Sequence, residues 1–287
     1  MPPMPLLHNF CLPQMEHFFI IDNSTKDPEG RFAAEVAAFL RAQGKACMLA
    51  GETSGAAVPE AADCALVLGG DGTVLQAAHA VMNRNLPLLG INLGTLGYLA
   101  QIEKKDWQSA LRKVLAGAYS VEERMLLEGS VPDGGREYAL NDVVFARKGA
   151  LQILNLDVFV NGQFLNSFNA DGIIVSTPTG STAYNLSAGG PIVEPGAKMI
   201  VITPICPHTL SSRSVVLSSD DVVQIRIGST STAKVLEAEV HFDGRRSAIL
   251  KTGDKVTIHR SEKTVRLVLL EQRSFLETLH RKMANIT

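Results

Sequence analysis

Five residues constrain this chain more than any others. Gly69-Gly70-Asp71-Gly72-Thr73 follows the apolar run Cys64–Leu68 and precedes a segment with helical spacing from about residue 74 to 83. Three glycines in four positions let a backbone approach a ligand and adopt φ > 0. Between a strand and a helix, such a loop presents free N–H groups and the positive end of the helix dipole, a setting that attracts phosphate. In open α/β sheets, ligands bind at this carboxyl edge of the strands. A carboxylate inside a phosphate loop is electrostatically odd. Asp71 would repel phosphates unless it serves as a base or touches a metal, and phosphoryl transfer needs a group that orients or deprotonates the attacking hydroxyl. The same five residues also fit a tight strand-to-helix turn with Asp71 as its N-cap. The pattern is neither G-x-G-x-x-G nor G-x-x-x-x-G-K-[ST].

The loop sits in a stretch of alternating strands and helices. Phe18–Ile21, Ala46–Leu49, Cys64–Leu68 and Pro87–Ile91 read as short strands. Between the first two, Phe32, Val36, Phe39 and Leu40 have helical spacing, and Gly44 ends that helix. This alternation predicts a parallel α/β layer. After about residue 120 the texture changes to period two, as in Leu154, Leu156, Val158 and Val160. Asn161-Gly162 and Asp243-Gly244 predict hairpin turns of the primed type. Val222, Ile225, Ile227, Val256 and Ile258 supply further strands. Ser274 to Glu277 reads as a capping box opening a last helix, roughly 275–283. The expected organisation is an α/β domain over residues 15–120, a β-rich domain over 121–260, and a C-terminal strand and helix over 261–287 packing back on the first domain.

The chain has 287 residues, 46% of them hydrophobic, enough for a sizeable core. With 27 Lys+Arg against 29 Asp+Glu there is no basic excess, so no nucleic-acid partner is expected. An anionic substrate would be held by local groups, not by the field of the whole molecule. No run of 18 apolar residues occurs, so no membrane association is expected. Residues 1–14 are Pro-rich and lack the basic n-region of a signal peptide, so the expected location is cytoplasmic. The four cysteines read as small buried hydrophobes in a reducing compartment.

A second segment carries chemistry. Ile173–Val175 reads as a strand running into Ser176, Thr177, Thr179, Ser181, Thr182 and Ser187, with no charge in the 16 residues from Gly172 to Ser187. Tyr184 adds a flat face for a base. This composition suits a hydroxyl-rich ligand with phosphates and an aromatic ring. A Ser/Thr-rich surface loop is the plainer alternative.

Taken together, these segments resemble the NAD kinase family. The resemblance is carried by Gly69–Thr73, Asn92-Leu-Gly-Thr-Leu-Gly-Tyr98-Leu99, Leu140-Asn141-Asp142, Asp171–Pro191 and Pro204–Ser211, in consistent order over about residues 60–250. The first motif alone is shared with diacylglycerol kinases and, more loosely, with phosphofructokinases. The Asp171–Pro191 block is specific to NAD kinases. With the patterning above, the expected fold is α/β plus β-rich: an N-terminal Rossmann-like parallel α/β domain, a C-terminal β-rich, β-sandwich-like domain, and a C-terminal helix returning to the N-terminal domain.

The resemblance implies an ATP-dependent phosphorylation of the 2′-hydroxyl of the adenosine ribose of NAD, giving NADP. It makes Asp71 the general base. It assigns the ATP phosphates to Gly69, Gly70, Gly72 and Thr73, with Mg²⁺ carried by ATP and no metal ligand from the protein. NAD would be bound by Asp71, Gly72, Asn141, Asp142, Gln152, Asn169, Asp171, Thr182, Ala183, Tyr184, Asn185, Leu186, Ser187 and Arg245. The family implies a homodimer or homotetramer, with Asp171 acting across a subunit interface. Gln152 and Asn169 stand where relatives often carry basic residues or His, and Arg245 where many have Gln. Phe18–Asp22 lacks the glycine-rich opening of many relatives, so residues 18–30 are expected to have no ligand role. His208 reads as a structural loop histidine and Trp107 as a packing anchor. The rival functions are a lipid kinase of the diacylglycerol type, a sugar kinase and a non-catalytic NAD-binding sensor.

Overall fold

A computed structural model of the chain describes residues 14–52, 58–94, 97–132, 134–149, 153–209, 212–229, 235–270 and 275–284. It divides into two compact units, residues 1–122 with 266–287, and residues 123–265.

The first unit is built around the strand that enters the glycine loop. In chain order it comprises β1 (His17–Asp22), α1 (Arg31–Ala42), β2 (Ala46–Leu49), β3 (Cys64–Gly69), α2 (Asp71–Val81), β4 (Leu88–Asn92), the short β5 (Ile102–Glu103) and α3 (Trp107–Leu115). The strands are parallel in the order β4-β3-β1-β2. Every residue of β3 is buried, as expected of a parallel strand covered on both faces. Helix α1 buries Phe32, Ala33, Val36, Ala37 and Leu40, one apolar stripe at helical spacing. Trp107 is the expected anchor: it meets the rings of Phe32 and Phe39 edge-on, at 5.7 and 5.2 Å.

Helix α2 begins at Asp71, earlier than its apolar spacing predicts. The reason is local: Gly70 is the N-cap and gives its N–H to Thr73 Oγ1 at 3.3 Å, closing the first turn. Asp71 is therefore not the cap, and its side chain is available for other work.

The second unit is antiparallel. Its elements are β6 (Ser120–Ser130, from residue 123 on), β7 (Arg136–Ala139), β8 (Asp142–Arg147), β9 (Leu154–Val160), β10 (Gln163–Ala170), β11 (Gly172–Ser176), the one-turn α4 (Tyr184–Ser187), β12 (Met199–Ile205), β13 (Val215–Ser218), β14 (Val223–Ile227), β15 (Glu237–Phe242) and β16 (Arg245–Lys251). Strand β17 (Lys255–Leu269) begins here. One sheet runs β13-β12-β11-β8-β15-β16, and β10-β9-β14-β17 are paired in the other. Phe145, Ile173, Val175 and Phe242 from the first sheet share a buried core with Leu156, Val158, Phe168 and Ile225 from the second. This is sandwich packing. Both predicted hairpin turns form, with positive φ at Asn161 (51°), Gly162 (78°), Asp243 (50°) and Gly244 (74°).

The end of β17 belongs to the first unit, where Leu267 lies opposite Leu88 of β4. Helix α5 (Phe275–Ala284) belongs there too, and its Lys282 Nζ stands 4.1 Å over the ring of Tyr98. Its expected cap, Ser274, lies outside the described residues. Among the described residues no helix is long and apolar enough to cross a membrane.

The cysteines depart from expectation. Cys64 is buried in β3, and burial pushes its thiol up to about 12. Cys47 is half-buried and Cys206 is exposed, because the chain turns at Cys206 with φ 45° just after β12. Cys11 lies outside the described residues.

Candidate phosphate loop and dinucleotide segment

Asp71 opens α2 directly after Gly70, and its carboxylate points at the segment that follows β4. Oδ2 accepts the backbone N–H of Tyr98 at 2.7 Å. Oδ1 accepts those of Leu99 and Ala100, both at 2.9 Å. A carboxylate has about four acceptor positions, so one remains, on Oδ2. Gly97 makes the approach possible: a methyl carbon built there would stand 1.7 Å from Asp71 Oδ1. Burial, with the charge of Asp71, pushes the Tyr98 hydroxyl upward.

A cavity of about 480 Å³ opens over the loop, lined by Asn23, Lys26, Gly70, Asp71, Gly72, Thr73, Gln76, Gly97 and Lys282. Asn23 organises one wall. Its Nδ2 donates to Thr73 Oγ1 at 2.9 Å, and its Oδ1 accepts the N–H groups of Thr25 and Lys26 at 3.0 and 3.1 Å. Residues 18–30 thus reach the loop although they lack the glycine-rich opening. The turn after β1 is shaped by an Asx side chain instead. Gly69 cannot carry a side chain, since a methyl carbon there would fall 2.2 Å from Thr73 Oγ1.

In the second unit the structure joins two of the sequence motifs. Thr177 donates its N–H to Asn141 O at 2.8 Å and its hydroxyl to Leu140 O at 2.5 Å. A methyl carbon on Gly180 would lie 2.1 Å from Asn141 O, so only glycine lets the two segments meet. From the other side, the carboxylate of Asp243 accepts the N–H groups of Leu140, Asn141 and Asp142 at 2.7, 2.8 and 3.2 Å. Asp142 itself is 5% exposed. Burial, and then the charge of Asp243, push its carboxyl up to about 7.

The hydroxyl-rich segment divides into an inner and an outer set. Ser181 exchanges hydrogen bonds with the backbone of Val193 at 3.1 and 3.0 Å. Asn185 is buried, donating to Ser181 O and Pro191 O at 3.1 and 3.0 Å and accepting from Thr203 Oγ1 at 2.7 Å. These side chains hold the segment together and face inward. Thr182 and Ala183 are half-buried, while Tyr184, Leu186 and Ser187 are exposed on α4. Buried Arg124 braces the turn, its Nη1 donating to Thr179 Oγ1 at 3.3 Å.

Other predicted positions lie on separate features. Asp171 joins β10 to β11 and pairs with Arg147 Nε at 3.2 Å. Asn169 Oδ1 accepts from Asn155 Nδ2 at 3.0 Å, and its backbone carbonyl accepts the N–H of His208 at 2.8 Å. Arg245 is exposed at the start of β16. Gln152 lies outside the described residues. Among the described residues, no group of three or more His, Cys, Asp or Glu is gathered closely enough to hold a metal ion. Lys26, Lys282, Gly97 and Asp243 are not among the expected site residues. Gly97 stands inside the Asn92–Leu99 motif and Asp243 in a predicted hairpin turn.

A parallel α/β unit with an aspartate in its glycine loop, followed by an antiparallel unit, defines a kinase of the glycine-loop type. Residues 33–119 match the model of the ATP-NAD kinase N-terminal domain, and residues 140–270 that of the ATP-NAD kinase C-terminal domain. The chain belongs to the ATP-NAD kinase family. The NAD kinase of Lachnoclostridium phytofermentans is 42% identical to it, over 94% of this chain and 100% of that protein. That of Agathobacter rectalis is 43% identical, over 94% and 99%. Among solved structures, an NAD kinase from Archaeoglobus fulgidus in complex with ATP is similar with a TM-score of 0.77 at 25% identity, over 94% of this chain and 100% of that one. Yeast NADH kinase complexed with NADH gives a TM-score of 0.76 at 25% identity, over 95% and 89%.

Proposed function

We propose that this chain transfers the terminal phosphoryl group of ATP to the 2′-hydroxyl of the adenosine ribose of NAD. The ribose oxygen forms the new P–O bond and the bond to ADP breaks. The hydroxyl proton passes to Asp71, at the one acceptor position on Oδ2 that the backbone amides leave open. Gly69, Gly70, Gly72 and Thr73 hold the donor's phosphates. Asn141, Asp142 and the outer residues of the Thr182–Ser187 segment hold the dinucleotide. Magnesium enters with ATP as part of that substrate. The oligomer is a homodimer or homotetramer in the cytoplasm, with Asp171 serving a neighbouring subunit.

The observation that carries this reading is the carboxylate of Asp71, fixed by three amides and lining a cavity with the phosphate loop. The yeast relative's complex with NADH and the Archaeoglobus relative's complex with ATP support the two substrates. The test is NADP formation by the purified protein from NAD, ATP and Mg²⁺, read with an NADP-specific dehydrogenase. Binding of NAD without NADP formation would leave a sensor, and the reading would fail.

Gly97→Ala probes the placement of the base. Gly97 does not sit at positive φ, so alanine strains no backbone there, but its methyl carbon collides with Asp71 Oδ1. Displacing a reacting group by an ångström costs about 10²-fold in rate. The variant should lose about that much kcat and melt a few degrees lower, since the displaced carboxylate disturbs its bonds to the amides of Tyr98, Leu99 and Ala100. Undiminished turnover would show that this carboxylate position is not needed.

A further inference from the structure

We infer that the donor's phosphate chain is gripped by two lysines from opposite ends of the sequence, Lys26 after β1 and Lys282 on helix α5. The inference rests on the kinase reading above and makes the C-terminal helix a working part of the donor site.

Both lysines line the cavity over the glycine loop. Lys26 Nζ lies against the loop itself: it would be 3.1 Å from a methyl carbon built on Gly70 and 3.0 Å from one on Gly94. Its position is built, because the Asn23 side chain that fixes its N–H is also bonded to Thr73 in the first turn of α2. Lys282 is half-buried and stands over Tyr98, whose N–H holds Asp71. Among the described residues neither lysine is paired with a carboxylate. Among the described residues that line the cavity the only carboxylate is Asp71, and it is engaged by three backbone amides.

Two ammonium groups and the N–H groups that open α2 therefore face one carboxylate. Among the described lining residues the excess of positive charge has no partner. Its chemical complement is a run of linked phosphates, whose non-bridging oxygens accept charge-assisted hydrogen bonds from lysine. A ribose or nicotinamide has no use for such a surface. Lys282 has a second effect: its contact with Tyr98 lets the helix that touches the donor also steady the segment that holds the base.

The test uses the full chain with Lys26→Met, Lys282→Met, the double variant and Lys282→Arg. Each methionine should raise the KM for ATP about tenfold, the value of one lost charge-assisted hydrogen bond. The KM for NAD should stay within about twofold, and Lys282→Arg should restore most of the ATP affinity. Inorganic tripolyphosphate should compete with ATP in the wild type and weaken by the same factor in the variants, which separates recognition of the phosphate chain from recognition of the nucleoside. An unchanged KM for ATP in both single variants would overturn the inference, as would an equal rise in the KM for NAD. Calorimetric titration of ATP without NAD keeps the two readings apart. If the wild type makes no NADP but the methionine variants bind ATP more weakly, the kinase reading fails and the clamp stands. If NADP forms and ATP affinity is unaltered, the clamp fails alone.

Discussion

Asp71→Asn should lower kcat by about 10²- to 10⁴-fold, the usual worth of a positioned general base, with the fold retained. Asparagine has nearly the shape of aspartate, so the difference lies in its lone pairs. In the native site Oδ1 takes two backbone N–H groups and Oδ2 takes one. An amide oxygen can replace Oδ1, keeping the bonds to Leu99 and Ala100. Its NH₂ then faces the Tyr98 N–H, donor against donor, which costs roughly 1–3 kcal/mol locally. The variant should therefore melt a few degrees lower and still fold. The kinetic effect is of another kind. The proton of the attacking hydroxyl loses its acceptor, so kcat falls while the KM for ATP stays within a few-fold. Steady-state kinetics on wild type, Asp71→Asn and Gly97→Ala separate the two contributions, since the last keeps the carboxylate and only moves it. Full turnover by Asp71→Asn would remove Asp71 from the chemistry.

The amide bonds that hold Asp71 mark the boundary of what the residues reveal unaided. The glycine loop and its aspartate are legible because Gly and Asp at a strand's exit are chemically unusual. The Asn161-Gly162 and Asp243-Gly244 hairpins are legible because positive φ at paired positions demands such residues. The partners of Asp71 are not legible, because they are backbone N–H groups, which every residue but proline carries. Only the small Gly97 beside them is a sign. The hydroxyl-rich segment fails differently. Ser181 and Asn185 face inward while Tyr184 and Ser187 face out, and one-dimensional spacing through a 3₁₀ turn and a four-residue helix does not say which is which. Lys26 and Lys282 read as ordinary surface lysines until the fold brings the C-terminal helix to the loop. Asp243 reads as a turn residue, which it is, and its second role as acceptor for Leu140–Asp142 depends on strand register.

The same register creates the second large effect. Asp142 is buried beside the charged side chain of Asp243, and its carboxyl is raised from an ordinary 3.8 to about 7. A carboxyl whose pKa is raised by folding binds its proton more tightly in the folded state. Its contribution to stability is then complete below about pH 4 and is lost as pH rises through about 7. Between about pH 5 and about pH 8 the loss amounts to roughly 2–3 kcal/mol, using 1.36 kcal/mol per unit. Asparagine at this position cannot ionise. Relative to wild type, Asp142→Asn should therefore gain roughly that much stability on going from about pH 5 to about pH 8. Urea unfolding of both proteins at the two pH values measures this, and the titrating groups that do not interact with Asp142 cancel in the difference. A difference independent of pH would mean that Asp142 ionises normally in its buried site. The titration also bears on recognition: the neutral carboxyl offers an O–H donor beside its acceptor, whereas the ionised form only accepts. Asparagine keeps a donor and an acceptor throughout, so its KM for NAD should vary less over this pH range than that of the wild type.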